Sequence, residues 1–308
     1  MKCLDPDSDA ARDLRSGRYR IRTLDAAGMA AVPIAWMREA GWNPGLHDAE
    51  TFLTADPAGF LVGECDGVPV ATVSAVRYDD HFGFIGCYIV APEWRGRGYG
   101  MAIHEAARRH LQGCTQGGDG VLENVDKYRR IGREYAYRNA RYEAVRAADP
   151  PAVPEAPAGS PAISVQDART APAPALAALD RACFPADRSA FLHAWIHQPG
   201  AHALAAVRAD DGSVQGYGVI RPCFRGWKIG PLFARDAHTA GVLFAELTAR
   251  IPAGDPYVLD IAEPNAAAKS LVDRHGLREV FATARMYTGP VPVINLDWVY
   301  GVTTFELG

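Results

Sequence analysis

The sequence predicts an α+β protein built from two similar halves, each an antiparallel meander with helices packed on it. Three observations carry that expectation. Apolar runs flank an Asp-Gly pair twice, at Asp66-Gly67 and Asp211-Gly212, and Asp-Gly is a strong hairpin signal. From Ala147 to Ala162 the chain reads A-A-D-P-P-A-V-P-E-A-P-A-G-S-P-A, which suits an extended connector because proline sets φ and removes a backbone donor. Residues on either side of it match at a single offset of 144: Val76-Arg77 with Ile220-Arg221, Ile85-Gly86 with Ile229-Gly230, Gly132 with Gly276, and Ala140-Arg141 with Ala284-Arg285. Two domains are therefore expected, 1–146 and 163–308, joined by the connector 147–162.

The elements follow in order. In the first half, strands are expected at Phe60 to Gly63, Val70 to Val76 and Phe82 to Val90, with helices at Met101 to Leu111 and Asn124 to Arg130. The second half repeats the course at Leu204 to Val207, Tyr217 to Ile220 and Ile229 to Ala234. Its late helix, Ala266 to His275, has Pro264-Asn265 as a start and Gly276 as a stop.

Bulk properties narrow the function. Hydrophobic residues make up 48% of the 308 and charged residues 22%, ordinary globular values. A net charge of -4 speaks against a general nucleic-acid binder. The cysteines (Cys3, Cys65, Cys87, Cys114, Cys183, Cys223) form no C-x-x-C pair, so reduced buried thiols are expected rather than a zinc site or disulfides. No apolar run approaches the roughly 20 residues of a membrane span and the N-terminus lacks a signal-peptide core, so a cytoplasmic protein without a membrane partner is expected.

The stretch P-E-W-R-G-R-G-Y-G-M, Pro92 to Met101, places glycines at 96, 98 and 100 between a strand and a helix. Glycine tolerates positive φ and lets the backbone approach a ligand, so such a turn can aim several N–H groups at one anion, with the helix dipole behind them. Arg95 and Arg97 add charge, and a diphosphate is the natural occupant. The Asp-Gly hairpins argue against a parallel dinucleotide-binding unit, and the G-K-[ST] ending of a nucleotide-triphosphate loop is absent.

At Arg95 to Gly100 the sequence resembles the GNAT acetyltransferase superfamily, whose signature [RQ]-x-x-G-x-[GA] occupies this place after a strand and before a helix. Further segments, among them S-A-V-R-Y (Ser74 to Tyr78), A-Y-R-N-A-R-Y (Ala136 to Tyr142), G-Y-G-V-I-R-P-C (Gly216 to Cys223) and T-A-R-M-Y-T-G (Thr283 to Gly289), resemble a bacterial family of tandem GNAT proteins over nearly the whole chain. The resemblance implies two tandem GNAT-like domains, each a mixed, mainly antiparallel sheet flanked by helices. It implies acetyl-CoA as co-substrate of the first half, with Ile89 and Val90 pairing with the pantetheine arm and Arg95, Gly96, Arg97, Gly98, Tyr99 and Gly100 holding the pyrophosphate. It also implies that Tyr128 protonates the departing thiolate. Two departures stand out: Y-R-R-I-G-R (Tyr128 to Arg133) replaces the usual Gly-Phe ending, and Lys127 stands where asparagine is usual.

At offset 144, Arg95, Gly98 and Gly100 fall opposite Thr239, Val242 and Phe244, and Tyr128 falls opposite Val272, so the second half is expected to lack both cradle and acid. For the base, Asp79, Asp80 and His81 form a hairpin tip where a carboxylate or histidine could take the amine proton, against the alternative of a solvated turn, and Glu123 is a further candidate. His193 and His197 are spaced as a metal pair, but lack the Glu of H-E-x-x-H, so packing is expected and no metal. The segment Asp297 to Gly308 has no counterpart in the first half and is expected to reach across and close the acceptor pocket. Together these readings point to direct acetyl transfer to a primary amine of a small metabolite or amino acid. A non-catalytic acyl-CoA sensor and an aminoacyl-tRNA-dependent transferase remain as alternatives, and homodimerisation stays open.

Overall fold

The computed structural model describes residues 4–149, 153–156 and 161–308; connector residues 150–152 and 157–160, and Cys3, lie outside that set. The first half runs α1 (Asp9–Ser16), β1 (Tyr19–Thr23), α2 (Ala26–Met29), α3 (Ala35–Glu39), α4 (Asp48–Leu53), β2 (Phe60–Cys65), β3 (Val68–Arg77), β4 (Phe82–Val90), α5 (Tyr99–His110), β5 (Thr115–Val121), α6 (Val125–Arg130) and β6 (Glu134–Val145). The second runs β7 (Ile163–Asp167), α7 (Ala173–Cys183), α8 (Ser189–Ile196), β8 (His202–Arg208), β9 (Val214–Pro222), β10 (Trp227–Ala234), α9 (Ala237–Thr248), β11 (Pro256–Ala262), α10 (Ala266–Arg274), β12 (Arg278–Tyr287) and β13 (Val299–Gly301).

The hairpins form where the Asp-Gly pairs stand. Asp66 and Gly67 both take positive φ, 51° and 82°, the left-handed turn that matches strand twist and favours glycine. The meander β1-β2-β3-β4 is antiparallel, and β4 then runs parallel to β5, because the α5 crossover returns the chain to the same end. In the second half β7-β8-β9-β10 and β11 repeat this pattern.

The halves do not make two sheets. Among the described residues, one sheet follows the order β1-β2-β3-β4-β5-β12-β6-β11-β10-β9-β8-β7. The final long strand of each half crosses into the other: β12 pairs with β5, β6 pairs with β11, and the two crossing strands pair with each other. Mixed, mainly antiparallel pairing with flanking helices is thus observed, with a continuous seam in place of a boundary.

Buried ion pairs lock this exchange twice over. Arg141 on β6 reaches Asp260 on β11 with both Nε and Nη2 at 2.7 Å, and Arg285 on β12 reaches Asp119 on β5 at 3.0 and 2.7 Å. These arginines are the repeat pair at offset 144, so each holds its strand to the opposite half. A third buried pair, Asp48 with Arg221, joins α4 to β9. The largest core cluster accordingly mixes Phe52, Phe60 and Cys87 with Trp195, Tyr217 and Phe305.

The closing segment Val299 to Gly308 is buried throughout. It adds β13 to β10, then runs so that the backbone carbonyl of Thr303 lies against Gly230 and that of Glu306 against Gly86. A side chain at either glycine would collide with that backbone, which explains why the Ile-Gly pair recurs in both halves. Among the described residues no helix is long and apolar enough to cross a membrane, and Cys65, Cys87, Cys114, Cys183 and Cys223 are buried free thiols.

Candidate functional site

The pairing of β4 with β5 covers only Phe82 to Ile85 against Thr115 to Gly118. Beyond that point β4 continues to Val90 and β5 to Val121 without meeting, so the sheet opens into a wedge. Cys87, at φ 47°, sits at the irregularity where the register with β3 shifts. A cavity of about 790 Å³ fills the wedge.

Its mouth is the glycine turn. Gly96 and Gly98 take φ of 75° and 94°, and α5 begins without a side-chain cap. Among the described residues, the backbone N–H groups of Gly96 to Met101 have no protein acceptor, whereas the N–H of Ala102 bonds Gly98 O. These donors and the positive end of a twelve-residue helix converge where Arg95, Gly96, Gly98 and Gly100 line the cavity. A methyl at Gly98 would stand 2.7 Å from Ser8 Oγ, and one at Gly100 would meet the Tyr88 hydroxyl. The cradle therefore suits an anion the size of a diphosphate.

Two predicted cradle side chains point elsewhere. Arg97 donates to Asp9 at 2.7 Å and lies over Trp94, while the Tyr99 ring is fully buried with its hydroxyl on Asp13. They contribute backbone N–H groups, not side chains. Arg95 lines the mouth and donates from Nε to Val90 O at 2.9 Å. Ile89 and Val90 line the cavity, paired on one side to Thr72 and Ala71 and open on the other.

Deeper in, Tyr128 lies against Gly120, which has no side chain to displace it. Burial pushes its hydroxyl above the ordinary tyrosine value, so it stays a proton donor through neutral pH. Trp42, Cys87, Phe281, Phe305 and Glu306 also line the cavity. Glu306 is 5% exposed and accepts a hydrogen bond from Thr304 Oγ1. Its charge helps hold the protons of Arg141, Arg221 and Lys228, a buried cationic group that it partly neutralises together with Asp48 and Asp260. The closing segment thus reaches the first-half cavity and lines it.

The proposed hairpin-tip acids are not there. Asp80 is highly exposed and pairs with Arg77 at 3.0 Å, while His81 is exposed and its backbone N–H bonds Asp79. Both precede β4 at its paired end, and the wedge opens at the other end, so the strand itself separates them from the cavity. Glu123 is also exposed and outside the lining. Glu306 escaped the sequence reading because its proximity depends on the path of the closing segment; no local motif marks it. His193 on α8 and His197 at its C-terminal cap stack at 4.3 Å, and burial pushes up the pKa of the buried Cys87 thiol.

The second half keeps the wedge and fills it with its own chain. Asp236 caps α9, accepting from Thr239 N at 2.8 Å and from Thr239 Oγ1 at 3.0 Å, so a carboxylate already stands where an anion would bind. Connector residue Pro154 covers Gly241. On β10, β13 takes the edge that stays open on β4.

Two family profiles match this chain: the Acetyltransferase (GNAT) family at residues 23–126 and the Acetyltransferase (GNAT) domain at residues 176–301. The holothin acyltransferase of Pseudoalteromonas sp. (strain SANK 73390) is 29% identical over 273 residues, 89% of each protein. Among solved structures, a putative acetyltransferase from Pyrococcus horikoshii superposes with a TM-score of 0.76 at 21% identity, over 94% of this chain and 96% of that one. A tandem GNAT protein from the clavulanic acid biosynthesis pathway superposes with a TM-score of 0.60 at 16% identity, over 89% of this chain and 99% of its own. With one GNAT profile on each half, a wedge and glycine turn in the first, and an acyltransferase relative spanning both, the chain belongs to the tandem GNAT acyltransferases.

Proposed function

We propose that the first half transfers an acyl group, acetyl in its smallest form, from acyl-CoA directly to the primary amine of a small metabolite or amino acid. The observation that carries this is the row of unpaired N–H groups at Gly96 to Met101, opening into a cavity that leads past Tyr128 to Glu306. The full-length relative, named as an acyltransferase of holothin, supports transfer to a discrete acceptor.

Bound acyl-CoA supplies an activated thioester. Arg95 and the turn amides hold its diphosphate, and the open edge at Ile89 and Val90 receives the arm as an added strand. Glu306 accepts the proton that the amine loses as its nitrogen bonds the acyl carbon, and Tyr128 gives a proton to the sulfur as the carbon–sulfur bond breaks. Trp42, Phe281 and Phe305 exclude water, which protects the thioester from hydrolysis.

The test is thiol release from acetyl-CoA across a panel of primary amines, with Gly98→Val alongside. Release with at least one amine is expected, together with loss of CoA binding in the variant. A protein that binds acetyl-CoA yet releases no thiol with any amine would be a sensor, and the proposal would fail.

A further inference from the structure

One cavity cation has no part in the chemistry above. Arg133 lines the wedge, is 6% exposed, and no carboxylate is among the charges acting on it, which are those of Tyr128 and Arg108. The residues outside the described set contain no Asp or Glu. Burial lowers this guanidinium to about 10, which leaves it charged at neutral pH. A buried, unpaired charge is costly, and such groups are kept where a partner arrives.

The fold does not ask for arginine here. Gly132 ends α6 at φ 84° and the N–H of Arg133 bonds Tyr128 O; in the second half Gly276 takes φ 66° and the N–H of Leu277 bonds Val272 O. The backbone device is the same, and Leu277 simply packs in the core. An apolar residue is the structural solution.

Position says what the charge meets. Along β5 the mouth lies at Val121, Tyr128 covers Gly120, and Arg133 Nη1 lies 3.0 Å from where a side chain on Gly118 would begin, at the last residue paired with β4. The order from mouth to apex is therefore cradle, Tyr128, Arg133. Two strand residues separate the last two, about 6.6 Å at the usual rise. A thioester seated beside Tyr128 would send the far end of its acyl group toward Arg133. The acceptor wall at Gly86 and Glu306 is level with Arg133 along the strands but on the opposite face of the sheet, since Gly86 alternates with Ile85, the partner of Gly118. The charge of Arg133 instead acts on His104 of α5, the helix that forms the cradle.

We infer that Arg133 is a carboxylate subsite for the acyl group, and that the preferred donor is the CoA half-thioester of a short dicarboxylic acid, of the malonyl or succinyl kind. Guanidinium and carboxylate match in geometry and charge, and the pair would form where water is scarce. The inference rests on the acyl-CoA reading of the first-half cavity.

Binding by titration calorimetry tests it without knowledge of the acceptor, using the full chain with CoA, acetyl-CoA, butyryl-CoA, malonyl-CoA and succinyl-CoA. Malonyl-CoA or succinyl-CoA is expected to bind about tenfold or more tighter than butyryl-CoA. Arg133→Leu, which copies the second half, should erase that difference while leaving CoA and butyryl-CoA within about twofold, and Arg133→Lys should keep part of it. Equal binding of butyryl-CoA and succinyl-CoA to the wild type overturns the acyl preference alone. So does an Arg133→Leu variant that weakens CoA and every thioester alike, because Arg133 would then hold the arm. If no CoA compound binds, the reading of the cavity falls with it. Should Arg133→Leu lose its thermal transition, Arg133→Gln replaces it and the same criteria apply.

Discussion

At Tyr128 the site's chemistry reduces to one hydroxyl held over a glycine. Replacing it by phenylalanine keeps the ring against Gly120 and removes the donor, so acyl-CoA binding should persist while thiol release falls about a hundredfold. A loss of binding instead would make Tyr128 a packing residue. Glu306→Gln should likewise slow turnover without unfolding the protein, since the amide can keep the bond from Thr304. His104 supplies a pH test of the cavity's burial. It is pushed down to about 4, first by burial and then by Arg133 and Arg108, from an unperturbed value of 6.5. Between those values the unfolded chain binds a proton that the folded chain refuses, so stability rises with pH there and is lost as pH falls from 6.5 toward 4. His104→Gln should remove about 2 kcal/mol of the difference between denaturation at pH 7 and at about pH 5. An unchanged difference would mean that water reaches the ring.

The strands were legible to different degrees because they answer to different forces. β4 is legible to its ends, Phe82 to Val90, and β2, β3, β8, β9 and β10 within a few residues, because alternation and Asp-Gly turns are local signals, whereas nothing in the sequence marks the edge strands β1 and β7. Helix α5 begins two residues earlier than expected, at Tyr99, since Gly98 itself is its cap. The exchange of β6 and β12 was not legible. Arg141 and Arg285 were visible as a repeat, but a one-letter match says nothing about which half supplies the carboxylate. The same limit hid Glu306 and favoured Asp80, whose neighbours in sequence are polar while its neighbours in space are solvent. The crossing strands now carry a sharp expectation. Asp260→Ala leaves the Arg141 guanidinium buried and unpaired, and should cost about 3–5 kcal/mol in denaturant unfolding, whereas Asp260→Leu with Arg141→Met should recover most of it. If the single variant costs no more than an exposed pair, about 1 kcal/mol or less, the clamp is not what holds β6 to β11.

For the whole molecule, exchange means that neither half completes its own sheet. Residues 1–149 alone would hold β6 with neither β11 nor β12 beside it, expose the β5 edge that β12 covers, and strip Asp119 of Arg285. Residues 161–308 alone would lack β6, and the closing segment that lines the first-half cavity would have no cavity to line. Strand edges left open in this way invite aggregation, and each buried arginine or aspartate without its partner adds several kcal/mol against folding. Neither fragment should therefore show a cooperative thermal transition by itself. Mixed during refolding, the two should return as a one-to-one complex on size exclusion, and that complex should bind acyl-CoA, because the cradle and Tyr128 come from one fragment and Phe305 and Glu306 from the other. The intact chain should unfold in a single transition by both fluorescence and circular dichroism. Two separable transitions, or a first fragment that folds and binds acyl-CoA unaided, would show that the halves are independent domains lying side by side. In that case the second half would be dispensable for the donor site, and the fill of its wedge by Asp236 and β13 would be a matter of its own stability alone.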